Sequence, residues 1–176
     1  MLKVALDNGC GIFMSEQVAN ERKFVSADFD KCTGCRVCEL VCALENENVF
    51  DPKLSRIKVL PFHLLVNMPM SCRFCEDAPC VRSCSRKALT QSEETGVIIV
   101  DDDKCDLCGW CIESCKYGAI FLNQDKTTVM TCNLCDGTPQ CIEWCPESAL
   151  SLMTQEEVEE KTRKAAVKHL IPEEWR

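Results

Sequence analysis

Apolar and polar positions alternate over short stretches of this 176-residue chain, and no single period runs far. Residues 24–28 (FVSAD) and 97–101 (VIIVD) read as strands, rich in β-branched or alternating apolar residues. Ala88–Thr90 and Val97–Val100 read as a hairpin across a turn at Glu93–Gly96, and Ala119–Leu122 as a further strand. The run IKVLPFHLLV (57–66) predicts a strand interrupted at Pro61, which has no N–H for a ladder. Short helices are expected around 38–44 and 111–116. Beyond Leu150 the stretch MTQEEVEEKTRKAAVKHL puts acidic residues first and basic residues last, as a helix dipole favours, with Pro172 as its stop.

These elements are too short to build an ordinary core. The 46% hydrophobic share includes 17 cysteines, and only 6% of the chain is aromatic. With cysteine set aside, the apolar share falls to about 36%, below that of a usual globular domain. Something bound by sulfur must therefore replace part of the core. A net charge of −8 excludes a nucleic-acid footprint. No run approaches the ~18 apolar residues of a membrane span. The start MLKVALDNGCGIF carries neither a cationic region before an apolar stretch nor a twin-arginine pair, so a cytoplasmic location is expected. Reduced cytoplasmic thiols and an odd cysteine total both count against a disulfide scaffold.

Sixteen cysteines form four groups of four: Cys32, Cys35, Cys38, Cys42; Cys72, Cys75, Cys80, Cys84; Cys105, Cys108, Cys111, Cys115; and Cys132, Cys135, Cys141, Cys145. Every group opens with C-x2-C and closes with C-x3-C; only Cys10 stands apart. Zinc sites usually combine two C-x2-C pairs in a closed tetrahedron. Groups one and three instead set three sulfurs within seven residues and a fourth one helical turn later. That is the bacterial ferredoxin pattern, whose last cysteine serves a second [4Fe–4S] cluster. Four such clusters are the favoured reading, and a zinc-stabilised interaction module is the rival.

The groups are themselves a repeat. Residues 24–42 align without gaps on 97–115, matching Asp28, Asp30 and Lys31 with Asp101, Asp103 and Lys104 as well as four cysteines. Group two aligns on group four with one added residue, which sets Pro79 opposite Pro139. The order is a duplicated half-module, A-B-A′-B′.

With CRFCEDAPC, CNLCDGTPQCIEWCP and ALTQSEETGVIIVDDDKC in view, residues 24–150 resemble a known family. They are similar to the four-cluster, ferredoxin-like iron–sulfur subunits of multisubunit redox enzymes. Those include electron-transfer subunits of the dimethyl sulfoxide reductase and formate dehydrogenase type. They also include polyferredoxin partners of tungsten aldehyde oxidoreductase-type enzymes, among them the small subunit of tungsten-dependent benzoyl-CoA reductase complexes. The resemblance implies an α+β fold of two interleaved ferredoxin-like modules, the inner one at about 66–122 inserted in the outer, flanked by an extension (1–23) and a helical tail (151–176). It implies cross-pairing: Cys32, Cys35, Cys38 with Cys145; Cys132, Cys135, Cys141 with Cys42; Cys72, Cys75, Cys80 with Cys115; and Cys105, Cys108, Cys111 with Cys84. It further implies a non-catalytic relay between a tungsten- or molybdenum-pterin subunit and another redox partner, a free polyferredoxin shuttle being the alternative.

One departure from that family carries an expectation. Proline commonly follows the last cysteine, yet only Cys145–Pro146 keeps it. Ala43, Ser85 and Lys116 each bring an N–H that proline lacks, which would raise three potentials. Lys31, Arg36, Arg73, Arg82, Arg86, Lys87, Lys104 and Lys116 are candidates to offset cluster charge. Trp110, Trp144 and Tyr117 read as water-excluding packing, and Cys10, His63 and His169 as outside the chemistry. No phosphate-binding glycine loop or dinucleotide fingerprint is present.

Overall fold

A computed structural model describes residues 22–63, 66–123, 125 and 127–170. Its strands are β1 (Phe24–Ala27), β2 (Lys58–His63), β3 (Val66–Met70), β4 (Leu89–Gln91), β5 (Ile98–Val100), β6 (Phe121–Leu122), β7 (Val129–Met130) and β8 (Leu150–Met153). Its helices are α1 (Val37–Glu47), α2 (Pro79–Arg82), α3 (Trp110–Ser114), α4 (Gln140–Glu143) and α5 (Gln155–Leu170), with 3-10 turns at Pro52–Leu54 and Leu134–Gly137. The fold is mixed α+β.

The strands form four separate antiparallel pairs: β1 with β8, β2 with β3, β4 with β5, and β6 with β7. Two of these are equivalents within the repeat. In β1–β8 the register runs from Phe24 opposite Met153 to Ala27 opposite Leu150, and in β4–β5 Leu89 stands opposite Val100. Each pair is closed by the same bond, Asp28 N–H to Ala149 O and Asp101 N–H to Ala88 O, both 2.7 Å. The second pair is a local hairpin, as the sequence predicts. The first joins the start of the cysteine-rich region to its end.

Three elements differ from the sequence reading, each for a local reason. The run IKVLPFHLLV is not broken at Pro61; β2 continues through it with a register shift between Pro61 and His63. It then returns as β3, which prolines at positions 61 and 69 disguise. The strand expected at 119–122 shrinks to β6, because Ala119 turns its N–H onto the Cys115 sulfur rather than into a ladder. Helix α1 outruns the expected 38–44 and ends at Glu47.

The core mixes ordinary side chains with sulfur. Phe24, Ile57, Phe74, Leu89, Ile98 and Leu150 are buried beside Cys38, Cys42, Cys72, Cys80, Cys111, Cys132 and Cys141. Helix α1 packs on α4, and α2 on α3. Thr154 and Glu157 cap α5 reciprocally, backbone to side chain at 2.8 and 3.2 Å. Val158 packs against the core and Lys161 bonds Asp28 at 3.1 Å, so α5 docks by its first turns.

One buried acid holds α1 to β2. Glu39 is 4% exposed and its Oε1 accepts the Val59 N–H at 2.7 Å, across 20 residues of chain. Leaving that N–H without an acceptor costs on the order of 1–3 kcal/mol. Glu39→Ala is therefore expected to lower stability by about that amount, and Glu39→Gln, which keeps an acceptor oxygen, by less. Denaturant unfolding followed by circular dichroism reads the difference.

Candidate metal centre

Each C-x2-C pair is wrapped by the same backbone device. The residue before the second cysteine has positive φ in all four groups: Gly34 at 73°, Phe74 at 47°, Leu107 at 60° and Leu134 at 58°. Three of these are not glycine and carry strain of about 1–3 kcal/mol each, of the kind that accumulates at functional sites. At Gly34 an added Cβ would lie 2.5 Å from Asn67 Cγ, so that side chain would have to move. The third cysteine of each group then sits on a short helix, with the fourth inside or just after it: Cys38 and Cys42 in α1, Cys80 in α2, Cys111 in α3, Cys141 in α4. Proline at the first position of α2 starts that helix where an N–H would have no partner.

The sixteen thiols gather in space across group boundaries. One cavity is lined by Cys32, Cys35, Cys38 and Cys145. A second is lined by Cys72, Cys75, Cys80 and Cys115, and a third by Cys84, Cys105, Cys108 and Cys111. The remaining four also meet: Cys141 faces Cys132, Cys42 and Cys135. No three His, Cys, Asp or Glu side chains among the described residues close around a single-ion site.

Burial dominates the electrostatics of the most enclosed sulfurs. It pushes the Cys38 thiol up to about 12, with Glu39 adding to the effect, and Cys132 to about 12. Cys80 rises to about 11, and Cys141 is pushed up further by burial and by its thiol neighbours. Such sulfurs favour a ligand that takes their charge.

N–H donors meet the sulfur of the fourth cysteine of each group. Ala88 donates to Cys84 at 3.2 Å, Ala119 to Cys115 at 3.3 Å and Ala149 to Cys145 at 3.3 Å. Arg56 N–H donates to Cys42 at 3.2 Å. Three donors lie four residues after the cysteine, whereas the expectation for Ala43, Ser85 and Lys116 concerned the residue directly after it. Cys145, followed by Pro146, receives the same bond as Cys84 and Cys115, so proline there removes none of these donors.

The other candidates separate by burial. Arg73 is the interior cation: its guanidinium lies 4.5 Å from the Phe24 ring centre and 5.7 Å from that of Tyr117. Arg82, Arg86 and Lys104 are committed to surface pairs with Asp77, Asp106 and Asp101, while Lys31, Arg36, Lys87 and Lys116 are exposed. Trp110 and Trp144 are each 60% exposed, so neither is the buried packing group that was expected. Cys10 lies outside the described residues, as do the side chains of His63 and His169.

Residues the sequence reading passed over also stand around the site. Lys58 Nζ donates to Pro52 O and Lys53 O and stands 5.1 Å over the Phe121 ring. The buried Thr131 hydroxyl has no partner in hydrogen-bonding geometry and lies beside the Cys72 thiol. Asn46 lies against Cys42. Its signal was present in the sequence: position +4 from each fourth cysteine reads Asn, Ala, Ala, Ala.

The chain is similar to known proteins. The 4Fe-4S dicluster domain family matches residues 64–156, which contain groups two, three and four. The polyferredoxin-like subunit of aliphatic sulfonate oxidoreductase from Pyrococcus furiosus is 40% identical, over 80% of this chain and 83% of its own. Electron transport protein HydN of Escherichia coli K12 is 32% identical, over 82% of this chain and 98% of its own. The solved active site complex BamBC of benzoyl coenzyme A reductase with benzoyl-CoA is similar at a TM-score of 0.45 and 23% identity, covering 81% of this chain and 88% of that one. With a family match across more than half its length and curated relatives 40% and 32% identical, the chain belongs to the 4Fe-4S dicluster domain family of iron–sulfur electron-transfer proteins.

Proposed function

We propose that this protein is a non-catalytic electron-transfer subunit holding four [4Fe–4S] clusters in a line. The observation that carries the reading is the gathering of sixteen thiols into four sets, three sulfurs from one group and one from another. The ligand sets would be Cys32, Cys35, Cys38, Cys145; Cys132, Cys135, Cys141, Cys42; Cys72, Cys75, Cys80, Cys115; and Cys105, Cys108, Cys111, Cys84. In this reading the inner ferredoxin module, about 66–122, is inserted within the outer one. One-electron exchange is the chemistry such clusters supply when bound.

The residues fit that group. On ligation iron would replace the proton on each buried thiol, the proton leaving to solvent. N–H donors point at the fourth sulfur of every group. With cysteine at every coordination position no iron would be open to substrate, which favours a relay over a reaction centre.

Proximity between sets supports a linear order. Cys38 of the first set is near enough to Cys141, and Cys72 of the third near enough to Cys132, to add to the rise of their thiol pKa values. Between the third and fourth sets, Ser83 and Ser114 hydroxyls meet at 2.9 Å where α2 packs on α3. The line would connect a tungsten- or molybdenum-pterin oxidoreductase subunit with a second redox partner. Supporting that assignment, the Pyrococcus relative is itself named as a subunit of an oxidoreductase. Reduced thiols suit a cytoplasmic setting, and no described helix is long and apolar enough to cross a membrane.

Anaerobically purified protein should be brown and hold about sixteen irons per chain. It should elute from native extract well above its own 19.8 kDa. Colourless zinc protein would contradict the cluster reading, and elution as a free monomer would contradict the subunit reading. Because burial raises the thiol pKa values, ligation must release protons, so iron uptake by the iron-free chain should tighten as pH rises from mildly acidic to mildly alkaline. Uptake independent of pH would contradict this.

A further inference from the structure

The four half-modules are alike around their last cysteine except at one position. After Cys84, Cys115 and Cys145 the chain leaves its helix through a left-handed residue at +3: Lys87 at φ 52°, Gly118 at 56° and Ser148 at 48°. That turn swings the backbone N–H of the alanine at +4 onto the sulfur. After Cys42, α1 continues to Glu47. The backbone N–H at +4 is thereby held inside the helical ladder, and Asn46 stands where the others have alanine.

Asn46 supplies with its side chain what the helix withholds. Its Nδ2 donates to Cys42 O at 2.8 Å and reaches Cys42 Sγ at 3.8 Å. An amide nitrogen carries two hydrogens, so both contacts can be made at once. The same side chain also lies near the Cys135 thiol, a member of the same set. The backbone donor to Cys42 comes separately, from Arg56. Cys42 therefore receives a backbone and a side-chain donor, whereas Cys84, Cys115 and Cys145 each receive one backbone N–H.

We propose that Asn46 is a positioning residue that raises the reduction potential of the cluster held by Cys42, Cys132, Cys135 and Cys141. This rests on the four-cluster reading above. Reduction adds negative charge to the cluster and its thiolates, and an N–H dipole aimed at sulfur stabilises the reduced form more than the oxidised one. Asn46 is only half-buried, but Cys42 is 6% exposed, so the contact is shielded from water at the sulfur end. Asn46 thus tunes one cluster, second in the line, without touching the other three.

The test is an EPR-monitored redox titration of the anaerobically purified native complex carrying wild-type, Asn46→Ala or Asn46→Asp protein, with iron counted in each. Alanine favours a helix interior, so Asn46→Ala is expected to fold and load iron fully. One midpoint of four should fall by about a tenfold change in the reduction equilibrium, 59 mV for one electron, with the other three unmoved. Asn46→Asp keeps the shape, loses the donor and adds charge, so the same midpoint should fall further. Unmoved midpoints in Asn46→Ala, or four that shift together, overturn the role of Asn46 while leaving the four-cluster reading intact. Wild-type protein without four cubane signals overturns both.

Discussion

Thiolate sulfur must be buried to hold a redox cluster and yet is costly to bury, and most features of this fold answer that conflict. Seven cysteines lie in the same buried cluster as Phe24, Ile57 and Leu150, taking space that aliphatic side chains would fill in an ordinary domain. Burial, with neighbouring thiols adding to it, drives Cys132 and Cys141 toward their neutral form. The backbone answers with N–H groups turned onto sulfur, and it adopts left-handed geometry to turn them. A chain with four pairs of short strands has little else to hold it together. In the proposed ligation, sulfur from distant groups would serve as both cross-link and core.

That dependence explains how the chain is arranged. Strand β1 lies beside β8, and α1 packs against α4, although more than ninety residues separate the members of each pair. A pairing so distant carries a large closure cost, which two antiparallel strands of four residues would not offset by themselves. In the proposed ligation, sulfurs shared between groups one and four would supply the missing term. Helix α5 adds a further clasp, Lys161 to Asp28, at the same seam.

What was legible in the sequence was what repeats. The hairpin of β4 and β5, the four cysteine groups and the capped final helix all follow from local pattern. The pair β1–β8 was not legible, because nothing in FVSA or LSLM names its partner. Strand β3 was hidden by a proline at position 69 and by its continuity with β2. The donors to the fourth sulfurs were sought at the wrong offset, since left-handed turns at Lys87, Gly118 and Ser148 cannot be read from side chains of such different kinds. Glu39 and Asn46 were visible as exceptions to the repeat: an acid where Val81, Ile112 and Ile142 stand, and an amide where alanine stands. Each proves to hold a hydrogen bond that its counterparts do not make.

The central claim is that each cluster draws three sulfurs from one group and its fourth from another. EPR spectra of the reduced Cys145→Ala, Cys38→Ala and Cys132→Ala proteins test it directly. Cys145→Ala and Cys38→Ala are predicted to lose or alter the same cluster signal, and Cys132→Ala a different one. A Cys145→Ala spectrum matching that of Cys132→Ala, its neighbour in sequence, would contradict the account.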